Sequence, residues 1–233
     1  MKKTLLIAAA ALAAGMLSVQ AQSNVYSQNI VGYVNKVLPA GYSQVAIPVG
    51  GSNTVETAIP AIQPGDNVFI WTGGGYDVRS YLGVNWDGNG HSWADENFNG
   101  VASPVLSPGQ AVFYQNGQGV NQTNTFVGSV VLSNTVTLHA GYSMIASTAP
   151  IAAKLDSASF SLPLQPGDNV FIWNGGGYTT LSYLGVDWDG NGHSWADENF
   201  NGVDSPIVQP GQGFYYQNGQ GSDEIWHQNV IVN

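Results

Sequence analysis

Short runs in which β-branched and aromatic residues alternate with polar ones, each closed by a glycine or asparagine turn, recur along the chain from about residue 24 onward. Side chains of a strand alternate between two faces, so such runs predict strands rather than helices. NVFIW at 67–71 enters TGGGY and returns through YDVRSYL, and NVFIW at 169–173 enters NGGGY and returns through YTTLSYL; both predict hairpins. AVFYQNGQG and GFYYQNGQG each predict a further strand and turn, entered through Pro108-Gly109 and Pro210-Gly211. Thr54 to Ile59 and Ala152 to Leu155 are the two stretches that predict a single helical turn.

These patterns are written twice. QPGDNVFIW at 63–71 returns at 165–173, an offset of 102, and GGGY, SYLGV, PGQ and YQNGQG follow at the same offset. LPAGYS at 38–43 returns as LHAGYS at 138–143, an offset of 100. The chain is therefore expected to be all-β, with two tandem repeats of about 100 residues, each a small β-barrel or β-sandwich. The expected boundaries are a leader at 1–21, a first repeat at 22–131 and a second at 132–233. Ile30-Val31, Val130-Val131 and Val230-Ile231 also recur every hundred residues. The central pair predicts a strand that closes the first repeat and opens the second, giving a rigid tandem.

Composition alters this picture at the N-terminus. Lys2-Lys3, the apolar run Thr4 to Leu17 and the small-x-small site Val19-Gln20-Ala21 describe a secretory signal peptide, whose removal leaves 212 residues. No later segment reaches the roughly 20 apolar residues of a membrane helix, so the expectation is no membrane insertion after cleavage. The product is expected in the cell envelope or outside the cell. Without cysteine there is no disulfide framework to hold it. Lys36, Arg79 and Lys154 then face fifteen acidic residues, a net charge of −12, which argues against nucleic acid as a partner.

The closest internal match is NWDGNGHSWADENFNG at 85–100 against DWDGNGHSWADENFNG at 187–202. The second copy satisfies the twelve-position calcium-loop pattern, with Asp187, Asp189, Asn191, the His193 carbonyl and Glu198 at positions one, three, five, seven and twelve. In the first copy Asn85, Asp87, Asn89, His91 and Glu96 take those places. Calcium prefers several hard oxygens, so the second copy, with three carboxylates against two, is expected to bind more tightly. The loop resembles those of EF-hands and dockerin modules, although Trp188 and Ser194 depart from their pattern and no flanking helices are predicted. The alternative is an unliganded turn, since Gly, Asn and Asp are what turns use. Zinc fits poorly because each loop offers one histidine and no cysteine.

Asp95-Glu96 and Asp197-Glu198 do not predict an acid–base pair, because neighbours on an extended chain point to opposite faces. Asp66 and Asp168 of QPGDN read as turn formers. Trp86, Trp93, Trp188 and Trp195 flank the loops, and Tyr76, Tyr81, Tyr178 and Tyr183 lie on the preceding hairpins. Aromatic faces beside amides and carboxylates fit a carbohydrate surface, whereas core packing is the ordinary use of such residues in small β units; one Trp of each loop pair is expected to be exposed.

Through VYSQNIVGYVN, PAGYS, PGDNVFIW, PGQ and FYYQN, the chain resembles a group of exported two-repeat β proteins of verrucomicrobial bacteria. The resemblance spans nearly the whole mature chain and implies a secreted or surface-associated β protein without a known catalytic residue. The expected function is non-enzymatic, calcium-stabilised adhesion, matrix or glycan binding, with a glycan or surface protein as partner. The alternative is a structural subunit that assembles by strand addition; a polysaccharide-acting enzyme comes last.

Overall fold

The computed structural model describes residues 31–50 and 54–229. The leader, Ile30 and Val230-Ile231 lie outside the described residues. In the first repeat the strands are β1 (Val31–Leu38), β2 (Gly41–Ala46), β3 (Asn67–Trp71), β4 (Tyr76–Tyr81), β5 (Trp93–Ala94), β6 (Gly100–Val101), β7 (Ala111–Asn116) and β8 (Gln122–Ser129), with one helical turn, α1 (Val55–Ala58). The second repeat has β9 (Ser133–Leu138), β10 (Gly141–Ala146), β11 (Ala153–Lys154), β12 (Asn169–Trp173), β13 (Tyr178–Tyr183), β14 (Trp195–Ala196), β15 (Gly202–Val203), β16 (Ile207–Val208), β17 (Gly213–Asn218) and β18 (Glu224–Asn229). Each repeat builds the same six-stranded antiparallel sheet, ordered β2-β7-β3-β4-β5-β6 and β10-β17-β12-β13-β14-β15. Neither sheet closes into a barrel.

The period-two alternation decides what each face does. Val112 and Tyr114 of β7 turn inward with Val45, Val68, Tyr81 and Trp93. Over them lie Val34 and Leu38 of β1, Phe126 of β8, and Val55, Ala58 and Ile59 around α1. The second core repeats this plan with Leu138, Val170, Tyr183, Trp195, Tyr216 and Trp226. Each repeat is thus a sheet backed on one face by its own first and last strands.

That closure corrects the reading of the junction. β8 pairs with β1 and β9 with β18, so the first repeat closes on itself before the second opens. Val130-Val131 lies between β8 and β9 rather than in a shared strand. One strand cannot be the antiparallel partner of β1 and of β18 when these belong to separate sheets.

The shift of offset from 100 to 102 also has a place. Val55 and Leu155 occupy equivalent sites, donating to the carbonyls of Pro104 and Pro206, whereas the next equivalent carbonyls belong to Ala58 and Phe160. The two extra residues fall after Leu155. The helical turn expected there is absent: Ala153-Lys154 is strand β11, paired with β16, and a non-helical turn follows. Ser157 caps the Lys154 carbonyl through its hydroxyl at 2.6 Å, the local competition by which serine displaces helix. In the first repeat Thr54 to Ala58 does form the expected turn, α1.

The outward faces of the two sheets meet across an approximate two-fold. Ala46 N–H donates to Gly211 O at 3.1 Å and Ala146 N–H to Gly109 O at 2.9 Å. Trp71 Nε1 reaches Tyr142 O at 3.0 Å while Trp173 Nε1 reaches Tyr42 O at 2.9 Å. The small residues Ala46, Ala111, Ala146 and Gly213 let the strands approach, and Phe113, Met144 and Tyr215 fill the space beside them.

The QPGDN turns lock each sheet. Asp66, fully buried, accepts from Gln63 N–H at 2.8 Å, the Tyr114 hydroxyl at 2.6 Å, Gly117 N–H at 2.9 Å and Gln118 Nε2 at 3.1 Å. Asp168 repeats the set with Gln165, Tyr216, Gly219 and Gln220. Burial, then the adjacent carboxylate, pushes both tyrosine hydroxyls far above their ordinary range. The repeats differ at one partner: Gln122 stands beside Tyr114, whereas Glu224 stands beside Tyr216 with one buried oxygen unpaired.

Burial, reinforced by the charge of Asp168, raises the Glu224 carboxyl above its ordinary value. A raised carboxyl favours the folded state below its unfolded value near 4.5, and that contribution is lost as pH rises through the folded value. Glu224→Gln, which copies the first repeat, is expected to raise Tm at pH 7. The gain should vanish below about pH 4. Thermal melts at both pH values test this; an equal gain at both would refute it.

Candidate functional site

The paired loops are hairpin tips held by their own hydrogen bonds. Trp86 N–H donates to His91 O, and Trp188 N–H to His193 O, both at 3.0 Å. Asn85 and Asp187 take left-handed conformations, φ 51° and 50°, and turn Oδ1 onto the N–H of Gly90 and Gly192, each at 2.6 Å. Asp87 Oδ1 accepts from the N–H of Asn89 and His91, and Oδ2 meets His91 Nδ1 at 2.6 Å. Asp189 does the same with Asn191 and His193, its ring contact being 2.7 Å. The imidazole contact comes first in holding both carboxyls down to about 2, with backbone N–H donors adding to it. Each pair sits on a glycine, Gly100 or Gly202, where a Cβ would collide with the carboxylate.

The Oδ1 atoms at positions one and three are therefore engaged by the loop itself. The His91 and His193 carbonyls at position seven are taken by tryptophan N–H groups, and Glu96 and Glu198 at position twelve are exposed. Among the described residues no three His, Asp or Glu side chains gather as a metal-holding group. An ion at either loop would have to replace these internal bonds. Asp95 and Asp197 close a second turn each, accepting from Asn97 and Asn99, and from Asn199 and Asn201.

The four loop tryptophans divide. Trp93 and Trp195 are fully buried, their Nε1 groups donating to Glu56 at 2.6 Å and Asp156 at 3.1 Å, so their rings belong to the core and are closed to a ligand. Trp86 and Trp188 are half-buried and donate to the carbonyls of Trp93 and Trp195 at 3.2 Å. The most exposed apolar residues of the tips are Val84 and Val186, followed by Phe98 and Phe200, which take left-handed conformations, φ 59° and 58°. Repetition of the loop in both copies was the available signal for them.

The larger aromatic concentration lies at the seam between repeats. One open cleft of about 340 Å³ is lined by Tyr42, Phe69, Tyr76, Phe113, Trp173 and Tyr178. Its counterpart, about 370 Å³, is lined by Trp71, Tyr142, Phe171, Tyr178 and Tyr215. Rings meet edge to face, as in Phe113–Trp173 and Trp71–Tyr215, both at 5.4 Å, a favoured arrangement of aromatic pairs. The hydroxyls of Tyr76 and Tyr215 are hydrogen-bonded to each other across the seam. Tyr42, Tyr76, Tyr142 and Tyr178 each keep about two-fifths of their surface in solvent. Tyr81 and Tyr183, from the same hairpins as Tyr76 and Tyr178, are buried on the opposite face.

The sequence placed Tyr76 and Tyr178 near the functional region but gave no sign that Tyr42, Phe69 and Phe113 would join Trp173 of the other repeat. Among the described residues no helix is long and apolar enough to cross a membrane. No family model matches the chain, nor does any curated protein or solved structure.

Proposed function

We propose that the protein is an exported, non-catalytic binding protein that takes saccharides in the paired aromatic clefts of the inter-repeat seam. The observation that carries this is the pair of clefts lined by aromatic rings, each in the size range of ligand pockets and related by the approximate two-fold. Half-exposed tyrosine and tryptophan rings offer apolar surface to the C–H faces of a sugar, and tyrosine hydroxyls face its rim. Two such clefts on one rigid seam would bind repeating chains with enhanced avidity. Titration of the mature chain with neutral and acidic oligosaccharides, followed by the indole signals of Trp71 and Trp173, tests it. Tyr42→Ala and Tyr142→Ala are each expected to weaken binding about tenfold, equivalent to about 1.4 kcal/mol. Indole signals that no saccharide moves would remove the reading.

Calcium is a separable part of this proposal. Its support is the spacing of oxygen ligands in the loops, and its cost is opening of the Asp87–His91 and Asp189–His193 contacts. Calcium at about 100 times its Kd should add about 2.7 kcal/mol of stability. Identical melting in calcium and in chelator would leave the loops as self-bonded tips.

Self-assembly is supported by a different surface. Val31, Tyr33 and Val37 of β1, with Val127 of β8, are more than half exposed on the outer face of that strand pair. Concentration-dependent sedimentation that Tyr33→Asp abolishes would favour this second reading.

A further inference from the structure

Two further clefts run between the repeats beside the aromatic ones, and the two-fold relates them. The first, about 600 Å³, includes Trp71, Thr72, Gln110, Val136, Tyr142 and Met144. The second, about 240 Å³, includes Lys36, Tyr42, Gln44, Trp173, Asn174 and Gln212. Position by position, Lys36 and Gln44 in the second replace Val136 and Met144 in the first. The second is continuous with an aromatic cleft, because Tyr42 and Trp173 line both.

The polar side chains of this second cleft present donors. Gln44 is buried, 4% exposed; its Oε1 accepts from Trp173 N–H at 3.0 Å, and its Nε2 has no partner. Gln212 Oε1 accepts from Gln209 N–H at 3.0 Å, which leaves its amide nitrogen as the group without a bond among the described residues. Asn174 Oδ1 accepts from Gly176 and Gly177 N–H at 3.2 and 3.0 Å. In all three the oxygen is consumed by the backbone and the NH₂ remains.

Lys36 adds a cation to this set. It lies on the inward side of β1 with Val34 and Leu38, and its stem passes over Gly211 of the second repeat. Burial lowers its amine to about 8, and no ion pair includes it. All fifteen Asp and Glu of the chain lie among the described residues, so no acidic side chain elsewhere can serve as its counter-ion. Ser43 Oγ is also unpaired, for a purely local reason: Pro39 lacks the N–H that His139 gives to Ser143 at 3.1 Å.

We infer that the Lys36–Gln44 cleft is a subsite for an anionic saccharide unit, a sugar ring that carries a carboxylate or a sulfate. Carboxylate and sulfate oxygens accept hydrogen bonds and carry the charge that Lys36 lacks opposite it, whereas a neutral hydroxyl meets only part of that demand. The adjoining Trp173 and Tyr42 rings would carry the sugar ring. The inference rests on the saccharide reading above and narrows it to acidic glycans at one of the two symmetry-related sites. Because the protein as a whole is strongly acidic, an anionic glycan is repelled at a distance, and both binding and selectivity must come from contact within the cleft.

The test uses the mature chain with labelled lysine and tryptophan, titrated by NMR with digalacturonate, a sulfated disaccharide and neutral cellobiose. At least one acidic disaccharide is expected to move the Lys36 and Trp173 signals with a Kd about tenfold or more below that of cellobiose. Which acid prevails distinguishes carboxylate from sulfate. Lys36→Met should abolish the preference and still fold, since the second repeat carries Val136 there. The paired change Val136→Lys with Met144→Gln should create a second acidic site. Cellobiose binding as tightly as both acids, a preference that survives Lys36→Met, or unmoved Lys36 signals would each overturn the subsite while leaving neutral saccharide binding intact. If the acids move Lys36 while no saccharide reaches the Trp71–Tyr142 cleft, the subsite stands and the paired-cleft reading falls.

Discussion

Asp66→Ala is expected to cost about 3–5 kcal/mol, because it removes a buried carboxylate from the N–H groups of Gln63 and Gly117 and leaves the Tyr114 hydroxyl only its longer bond to Gln122 Oε1 at 3.2 Å. For a chain of this length that corresponds to a fall in Tm of roughly 10 °C or more. Tyr114, pushed up by burial and by Asp66, remains a hydroxyl donor and would be left without its main partner. Asp66→Asn should fall between wild type and alanine, since an amide offers one acceptor oxygen and sets its NH₂ against the remaining donors. Asp168→Ala should behave alike in the second repeat. Calorimetry of the three variants decides the matter, and a loss below about 1 kcal/mol for Asp66→Ala would show that water replaces the carboxylate.

Gly213→Ala should destabilise the seam by about 1–3 kcal/mol, although its backbone is not in the left-handed region and alanine is otherwise tolerated in a strand. A Cβ at Gly213 would collide with the Ala111 methyl across the two-fold. Adding Ala111→Gly should restore most of the loss, because the pair would then merely exchange places. Urea melts of the four members of this cycle measure the coupling. Additive losses would mean that the two sheets do not meet at these residues.

The duplicated words NVFIW, GGGY and FYYQN made strands, turns and repeat legible, since alternation and glycine turns are local properties. The pairing of β1 with β8 was not, because Val130-Val131 looked like any other apolar strand end and only closure of the sheets shows where one repeat stops. The change of offset from 100 to 102 was visible as a number; its cause, two residues after Leu155 where a non-helical turn stands in place of α1, required the tertiary contacts.

For the site, the repeated loop drew attention by its acidic and amide residues. Asp87 and Asp189 bond to the histidine four residues on, a local pairing that the calcium-loop spacing conceals. The aromatic clefts are not legible in the sequence because each draws rings from both repeats, and nothing local joins Phe113 to Trp173. Nothing local in the sequence sets Lys36 apart; its significance comes from the cleft it lines, where the related cleft carries Val136.

The closure of each repeat on its own first strand has a consequence for chain connectivity. Val31 pairs with Ser129 and Asn229 pairs with Ser133, so both ends of the described chain lie beside the short bridge between repeats. With about 3.5 Å per extended residue and about 5 Å between paired strands, they are within roughly 25 Å of each other. A circular permutant that starts at Ser133, joins Asn229 to Val31 through a flexible linker of about ten residues and stops at Ser129 should therefore reach the same native state.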